Sequence, residues 1–147
     1  MANQGYPPVS FYFKVTFSGG GLKNETSFKE VTGLNVDFEP DEIIEGGLLE
    51  FRHRVPKVPK YTNLILKRGL VTDSSLRTWV EKALNEFTFT PVTVTIALLN
   101  EDGKPLMSWI VKNAWPVKWD VSNFDSQNNT LVIESLELAF DSFKIKT

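Results

Sequence analysis

The first part of the chain alternates apolar with polar. Val9, Phe11, Phe13, Val15 and Phe17 fall on one side of an extended segment and Ser10, Tyr12, Lys14 and Thr16 on the other, the period of two that marks a strand with one buried face. Gly19-Gly20-Gly21 ends it. A second strand is predicted over residues 27–38, where Leu34, Val36 and Phe38 alternate with Asn35, Asp37 and Glu39, and a turn is predicted at Pro40-Asp41. A third extended segment covers 42–54 and carries Ile43, Ile44, Leu48, Leu49 and Phe51 around Gly46-Gly47. Paired glycines weaken a strand, so they mark a bulge or a close backbone approach. After Pro56 and Pro59 a fourth strand is predicted over 61–70, with Leu64 and Leu66 on its apolar side.

The period then changes. Leu76, Trp79, Val80, Ala83, Leu84 and Phe87 sit at the spacing of one helical face, which predicts a helix over 73–87 with Asp73 as its N-cap. Strands resume over 91–99, 105–111, 117–122 and 130–143. Asp102-Gly103 marks the 100–104 hairpin loop, and 123–129 reads as a polar surface loop. No linker or repeat interrupts the pattern, so residues 1–147 are expected to form a single domain. Its class is mainly β: two packed antiparallel sheets in a sandwich or barrel, one flanking α-helix, and an extended hairpin arm over about residues 37–60.

Composition narrows the chemistry. With no cysteine, thiolate catalysis, redox pairs and Cys-based zinc sites are excluded. The single histidine, His53, lies between Arg52 and Arg54; two neighbouring cations disfavour its protonated form and no acid stands beside it to orient it. Phosphate-loop, dinucleotide, calcium-loop and zincin motifs are absent. No enzyme activity, cofactor or metal is expected. A net charge of −2 supplies no global field toward nucleic acid or an anionic membrane, so neither sequence-specific nucleic-acid binding nor stable membrane insertion is expected. The N-terminus lacks the basic start and apolar run of a secretory signal; synthesis in the cytoplasm is expected, with any export by another route.

Two features are candidates for recognition. Trp115 and Trp119 flank Pro116 and interrupt strand alternation, which would suit a monomeric β-sandwich module that stacks a glycan or other small ligand. The other feature is charge order. Asp37, Glu39, Asp41, Glu42, Glu45 and Glu50 form a block without a basic residue, and Arg52, Arg54, Lys57, Lys60, Lys67 and Arg68 form one without an acid. The blocks either pair within one subunit, each exposed pair being worth about 0–1 kcal/mol, or meet between copies. The second account draws on Ile43, Ile44, Leu48 and Leu49, too much apolar surface for a freely exposed hairpin. Unlike faces of identical subunits make head-to-tail contacts, which give rings or filaments.

The order of short motifs is more specific than any of them alone. Gly33-Leu34, Glu42 to Gly47, the stretch from Pro56 to Gly69 with its Leu-Lys-Arg-Gly ending, Trp79, Leu98 to Gly103, Trp109, Asn113-Ala114-Trp115-Pro116 with Trp119, and Val132 to Leu138 together resemble the tail tube proteins of contractile-tailed phages and phage-tail-like contractile injection systems. The resemblance spans about residues 9–143. It implies a tube-type fold, hexameric rings stacked into a hollow tube, a surrounding contractile sheath that drives the tube through a target envelope, baseplate or tube-initiator partners, and room for cargo in the lumen. The particle would be a phage tail or an extracellular or cell-associated injection device. The expected subunit interface comprises Asp37, Glu39, Glu42, Ile43, Ile44, Glu45, Gly46, Gly47, Leu48, Leu49, Arg52, Arg54, Lys57, Lys67 and Arg68. Arg77, Glu81 and Lys82 are expected on the outer face of the helix, toward a sheath. Val58-Pro59 stands where family members often carry Pro-Gly, which implies a different local turn.

Overall fold

A computed structural model describes residues 12–22, 28–44, 52–71, 74–127 and 131–147. Among them, eleven strands and one helix follow in the order β1 (Tyr12–Ser18), β2 (Glu30–Thr32), β3 (Val36–Asp37), β4 (Pro40–Ile44), β5 (Arg52–Pro56), β6 (Lys60–Tyr61), β7 (Leu64–Gly69), α1 (Ser75–Glu86), β8 (Val92–Leu99), β9 (Pro105–Val121), β10 (Ile133–Ala139) and β11 (Ser142–Lys146). The protein is mainly β, with several antiparallel sheets and one helix, as the alternation predicts.

The main sheet runs β1-β8-β9-β10-β7-β2, with β11 also paired to β9. β9 is its spine. The first part of this 17-residue strand lies between β8 and β11, and its second part pairs with β10. Between the two parts stands Asn113, in the left-handed region at φ 55°, where the β8–β9 register shifts. Its Nδ2 donates to Asp141 Oδ2 at 2.6 Å, tying the irregularity to the break between β10 and β11. Pro116 follows at a second register shift, the kind of place where a residue without an N–H fits inside a strand. Bulges of this sort let one strand pass from one sheet layer to another. The sheet folds over itself here: one core cluster joins Val15, Phe17, Val94, Ile96 and Val111 from the β1-β8-β9-β11 half to Leu64, Leu66, Leu136 and Leu138 from the β9-β10-β7-β2 half.

The helix adds Leu76, Trp79 and Val80 to that core. Trp79 Nε1 donates to the Thr90 carbonyl at 2.8 Å, so the buried indole keeps its hydrogen bond. Ser74, not Asp73, is the N-cap: it is extended, and its Oγ accepts from the Arg77 N–H at 3.3 Å. Asp73 lies outside the described residues. At the other end Phe87 is a left-handed cap rather than a helical residue, and both it and Leu84 are exposed, contrary to the predicted apolar face.

Other boundaries also differ from the predicted ones. The 27–38 strand divides into β2 and β3 because Gly33, at φ +99°, turns the chain, and a Cβ there would run into the Asn63 carbonyl. Pro40-Asp41 is no turn but the start of β4, proline being tolerated at the first residue of a strand. Of the segment over 42–54 the described ends belong to β4 and β5, which pair antiparallel. The two predicted strands over 105–122 are the single β9. The 130–143 strand breaks at Phe140-Asp141 into β10 and β11, which lie in line along the same strand β9. The 100–104 loop is as predicted: Gly103 takes φ +76°, and Asn100 Oδ1 accepts from the N–H groups of Asp102 and Lys104, both at 2.9 Å.

Candidate assembly surfaces

Among the described residues, members of the acidic and basic blocks stand opposite one another within one chain. Antiparallel pairing sets Asp37 opposite Lys60 in β3–β6, and Glu42 opposite Arg54, with Ile43 facing His53 and Ile44 facing Arg52, in β4–β5. Lys60 Nζ donates to Glu39 Oε1 at 2.7 Å. That hydrogen bond, reinforced by the lysine charge, holds the Glu39 carboxyl below the usual glutamate range. The contact is therefore complete above the ordinary glutamate pKa and is lost as pH falls through the depressed one. Lys67 lies 3.8 Å from Glu30, and the Lys57 N–H donates to the Glu39 carbonyl at 2.9 Å. Glu45, Gly46, Gly47, Leu48 and Leu49 lie outside the described residues.

Arg68 departs from the expected surface position. It is 3% exposed and Glu134 2%, and Arg68 Nε donates to Glu134 Oε2 at 2.8 Å. Trp119 Nε1 donates to the other carboxylate oxygen, also at 2.8 Å, Arg68 Nη2 donates to Ser74 Oγ at 2.9 Å, and the guanidinium lies 4.8 Å from the centroid of the Phe28 ring. One buried ion pair thus joins β7, β10, β9 and the N-cap of α1. Such a pair is tolerable only when hydrogen bonds satisfy its remaining polar atoms. On the far side of the helix Arg77 and Glu81 form an i,i+4 pair at 3.3 Å, and Lys82 is exposed beside Glu81.

Two surfaces could not be placed from the sequence. The first is the pair of sheet borders: among the described residues β1 pairs only with β8, and β11 only with β9. Each leaves one row of backbone donors and acceptors without a strand partner, the feature that natural proteins cover or use. The second is an apolar groove of about 420 Å³ between α1 and residues 115–119 of β9. Phe87 packs edge-on against Phe89 at 5.1 Å and Phe89 against Trp115 at 5.5 Å, while Phe87 remains 84% exposed. Trp115 and Trp119 both line the groove, yet the polar edge of Trp119 is committed to Glu134, so it does not offer a free hydrogen-bonding edge to a sugar.

Residues 9–144 match the family described as T4-like virus tail tube protein gp19. Among solved structures, the chain is similar to one in the sheath–tube complex of an extracellular contractile injection system, PVC, in its extended state: 25% identity, 97% of this chain and 93% of that one covered, TM-score 0.81. A chain in the baseplate of the anti-feeding prophage is 25% identical, with 96% of each chain covered and a TM-score of 0.78. Hcp1 from Flavobacterium johnsoniae shares the fold at 15% identity over 90% of this chain and 93% of that one, with a TM-score of 0.51. No curated protein sequence matches.

Proposed function

The chain belongs to the T4-like virus tail tube protein gp19 family, and from that premise we propose that it is the non-enzymatic structural subunit of the inner tube of a contractile injection system or phage tail. Copies assemble into hexameric rings, and the rings stack into a hollow tube. The single observation that carries the geometry is the β1-β8-β9-β11 half of the sheet, whose borders β1 and β11 have no further strand partner among the described residues. Joining β1 of one copy to β11 of the next uses both borders at once. The contact is heterologous and closes into a ring, which removes the exposed edges.

In this arrangement the core-facing side chains of that half point away from the channel, and the opposite alternation lines it. The β4–β5 hairpin, with Asp37, Glu39, Glu42, Ile43, Ile44, Arg52, Arg54 and Lys57 and the segment over 45–49, reaches a neighbouring copy. Lys67 adds a surface cation to that contact, whereas Arg68 serves inside the fold. The outer side of α1, with Arg77, Glu81 and Lys82, faces a sheath subunit, and the baseplate and a tube initiator set where stacking begins. The PVC and anti-feeding prophage structures, which contain sheath, tube and baseplate, support this placement by likeness. Among the described residues no helix is long and apolar enough to cross a membrane.

Negative-stain microscopy of the concentrated protein, with and without a baseplate-derived seed, tests the reading. Hollow rings or tubes are expected. Particles that remain single copies under both conditions would overturn it.

A further inference from the structure

Resting on the tube reading above, we propose that the channel-facing side of the β1-β8-β9-β11 sheet is an electropositive track for acidic polypeptide cargo. The strand registers place its residues in rows. Lys14 stands opposite Ala97, Ala97 opposite Ser108, and Ser108 opposite Lys146; in the next row Thr16, Thr95, Ile110 and Lys144 follow one another. One row further on, Ser18 faces Thr93 and Lys112 faces Ser142. Val15, Phe17, Val94, Ile96 and Val111, on the other alternation, are buried in the core, so these rows lie on the opposite face. Lys14, Lys112, Lys144 and Lys146 are all exposed.

No aspartate or glutamate occupies that alternation in β1, β8, β11 or residues 105–112 of β9. The acids nearest to it sit at its ends: Glu101 and Asp102 in the β8–β9 loop, and Asp141, whose carboxylate accepts from Asn113. The other half of the sheet is different, because its basic groups are matched where they stand, Lys67 by Glu30 at 3.8 Å and Lys118 by Asp120 at 3.6 Å. One face is balanced and the other carries one sign.

Ring closure concentrates that sign. β1 and β11 are the two borders of the half sheet, so Lys14, Lys144 and Lys146 fall beside the seam with the next copy. Like charges brought together on neighbouring strands repel, and a concave, low-dielectric wall focuses their field into the channel. An anionic chain inside relieves that repulsion. The chemistry of the face chooses between anions. It has lysines rather than the planar forks of arginine, hydroxyls from Thr16, Thr93, Thr95 and Ser108, and a single aromatic, Tyr12, at one end of β1. Single-stranded nucleic acid is held by a basic groove together with base stacking on successive aromatic side chains, and phosphate is gripped bidentately by arginine forks, whereas lysine meets it as a point charge. Mobile point charges on a hydroxyl surface instead attract a carboxylate-rich polypeptide without gripping it, which transit requires.

The test uses assembled tubes of the full chain, sedimented with fluorescent poly-L-glutamate, poly-L-lysine or oligothymidylate. Wild-type tubes are expected to retain poly-L-glutamate at low salt, release it at high salt, and retain the other two poorly. The combined variant Lys14→Gln, Lys112→Gln, Lys144→Gln and Lys146→Gln should retain about tenfold less poly-L-glutamate, whereas Lys29→Gln with Lys118→Gln, at exposed positions beside β7 and β10 in the other half of the sheet, should retain as much as wild type. Lys112→Glu alone, away from both borders, provides a variant that leaves the seam untouched and should also lower retention. Equal retention by the variants in assembled tubes overturns the track, and oligothymidylate held as tightly as poly-L-glutamate overturns the assignment to polypeptide. A wild-type protein that forms no rings in micrographs fails the tube reading itself, and the track with it.

Discussion

Glu134→Ala is expected to lower the stability of the subunit by about 3–5 kcal/mol, read as a shift of the urea unfolding midpoint at unchanged slope. The carboxylate accepts from Arg68 and from the Trp119 indole. Removing it takes the Glu134 carboxylate from a guanidinium that is 3% exposed and still donates to Ser74, and it leaves the indole N–H without its acceptor. Removing one partner of a buried ion pair costs far more than an intact pair contributes. The double variant Arg68→Met with Glu134→Leu, which removes both charges and keeps the volume, should recover the charge part of the loss and leave the part owed to the Trp119 N–H and Ser74. If Glu134→Ala unfolded within about 0.5 kcal/mol of the parent, as an ordinary surface substitution does, the pair would not hold the sheet and helix together.

A larger effect of a different kind is expected at the hairpin. Glu42→Lys with Glu45→Lys should abolish ring formation while hardly changing the stability of the single subunit. Glu42 is exposed and stands opposite Arg54 within its own hairpin, a setting in which an ion pair contributes about 0–1 kcal/mol. In a tube, however, the same reversal is repeated at every contact between copies, where like charges suppress association. Sedimentation velocity should show rings replaced by monomers, with the circular dichroism melting curve in place. Rings that persist at the same concentration would remove these carboxylates from the interface.

The physical reasons for what was and was not legible lie in parity. β1 and β8 follow from their alternation because each has one face in the core and one outside. Arg68 reads as a surface cation when taken as part of a charge block, yet it shares parity with Leu64 and Leu66, just as Glu134 shares parity with Leu136 and Leu138; all four leucines are buried. Parity was the available signal. The helix cap was undecidable from spacing, since Asp73 and Ser74 are both good N-caps, and Ser74 Oγ also accepts from Arg68, a tertiary contact that no local pattern contains. Asn113 and Pro116 look like strand breakers, and without knowledge of the bulges that absorb them β9 reads as two strands. Open borders and the groove beside Phe87 are properties of pairing and packing, so sequence periodicity does not show them.

The claim on which the account rests is that copies complete one another's sheets through β1 and β11, and it can be tested by covalent capture. The chain has no cysteine, so Thr16→Cys with Lys144→Cys places one thiol on each border and nowhere else. A short bis-maleimide added to the assembled protein is predicted to give a denaturing-gel ladder that ends at the hexamer, while the loop pair Asp102→Cys with Gln127→Cys gives none. A border pair that yields only single-chain bands from a protein assembled at the same concentration would contradict it.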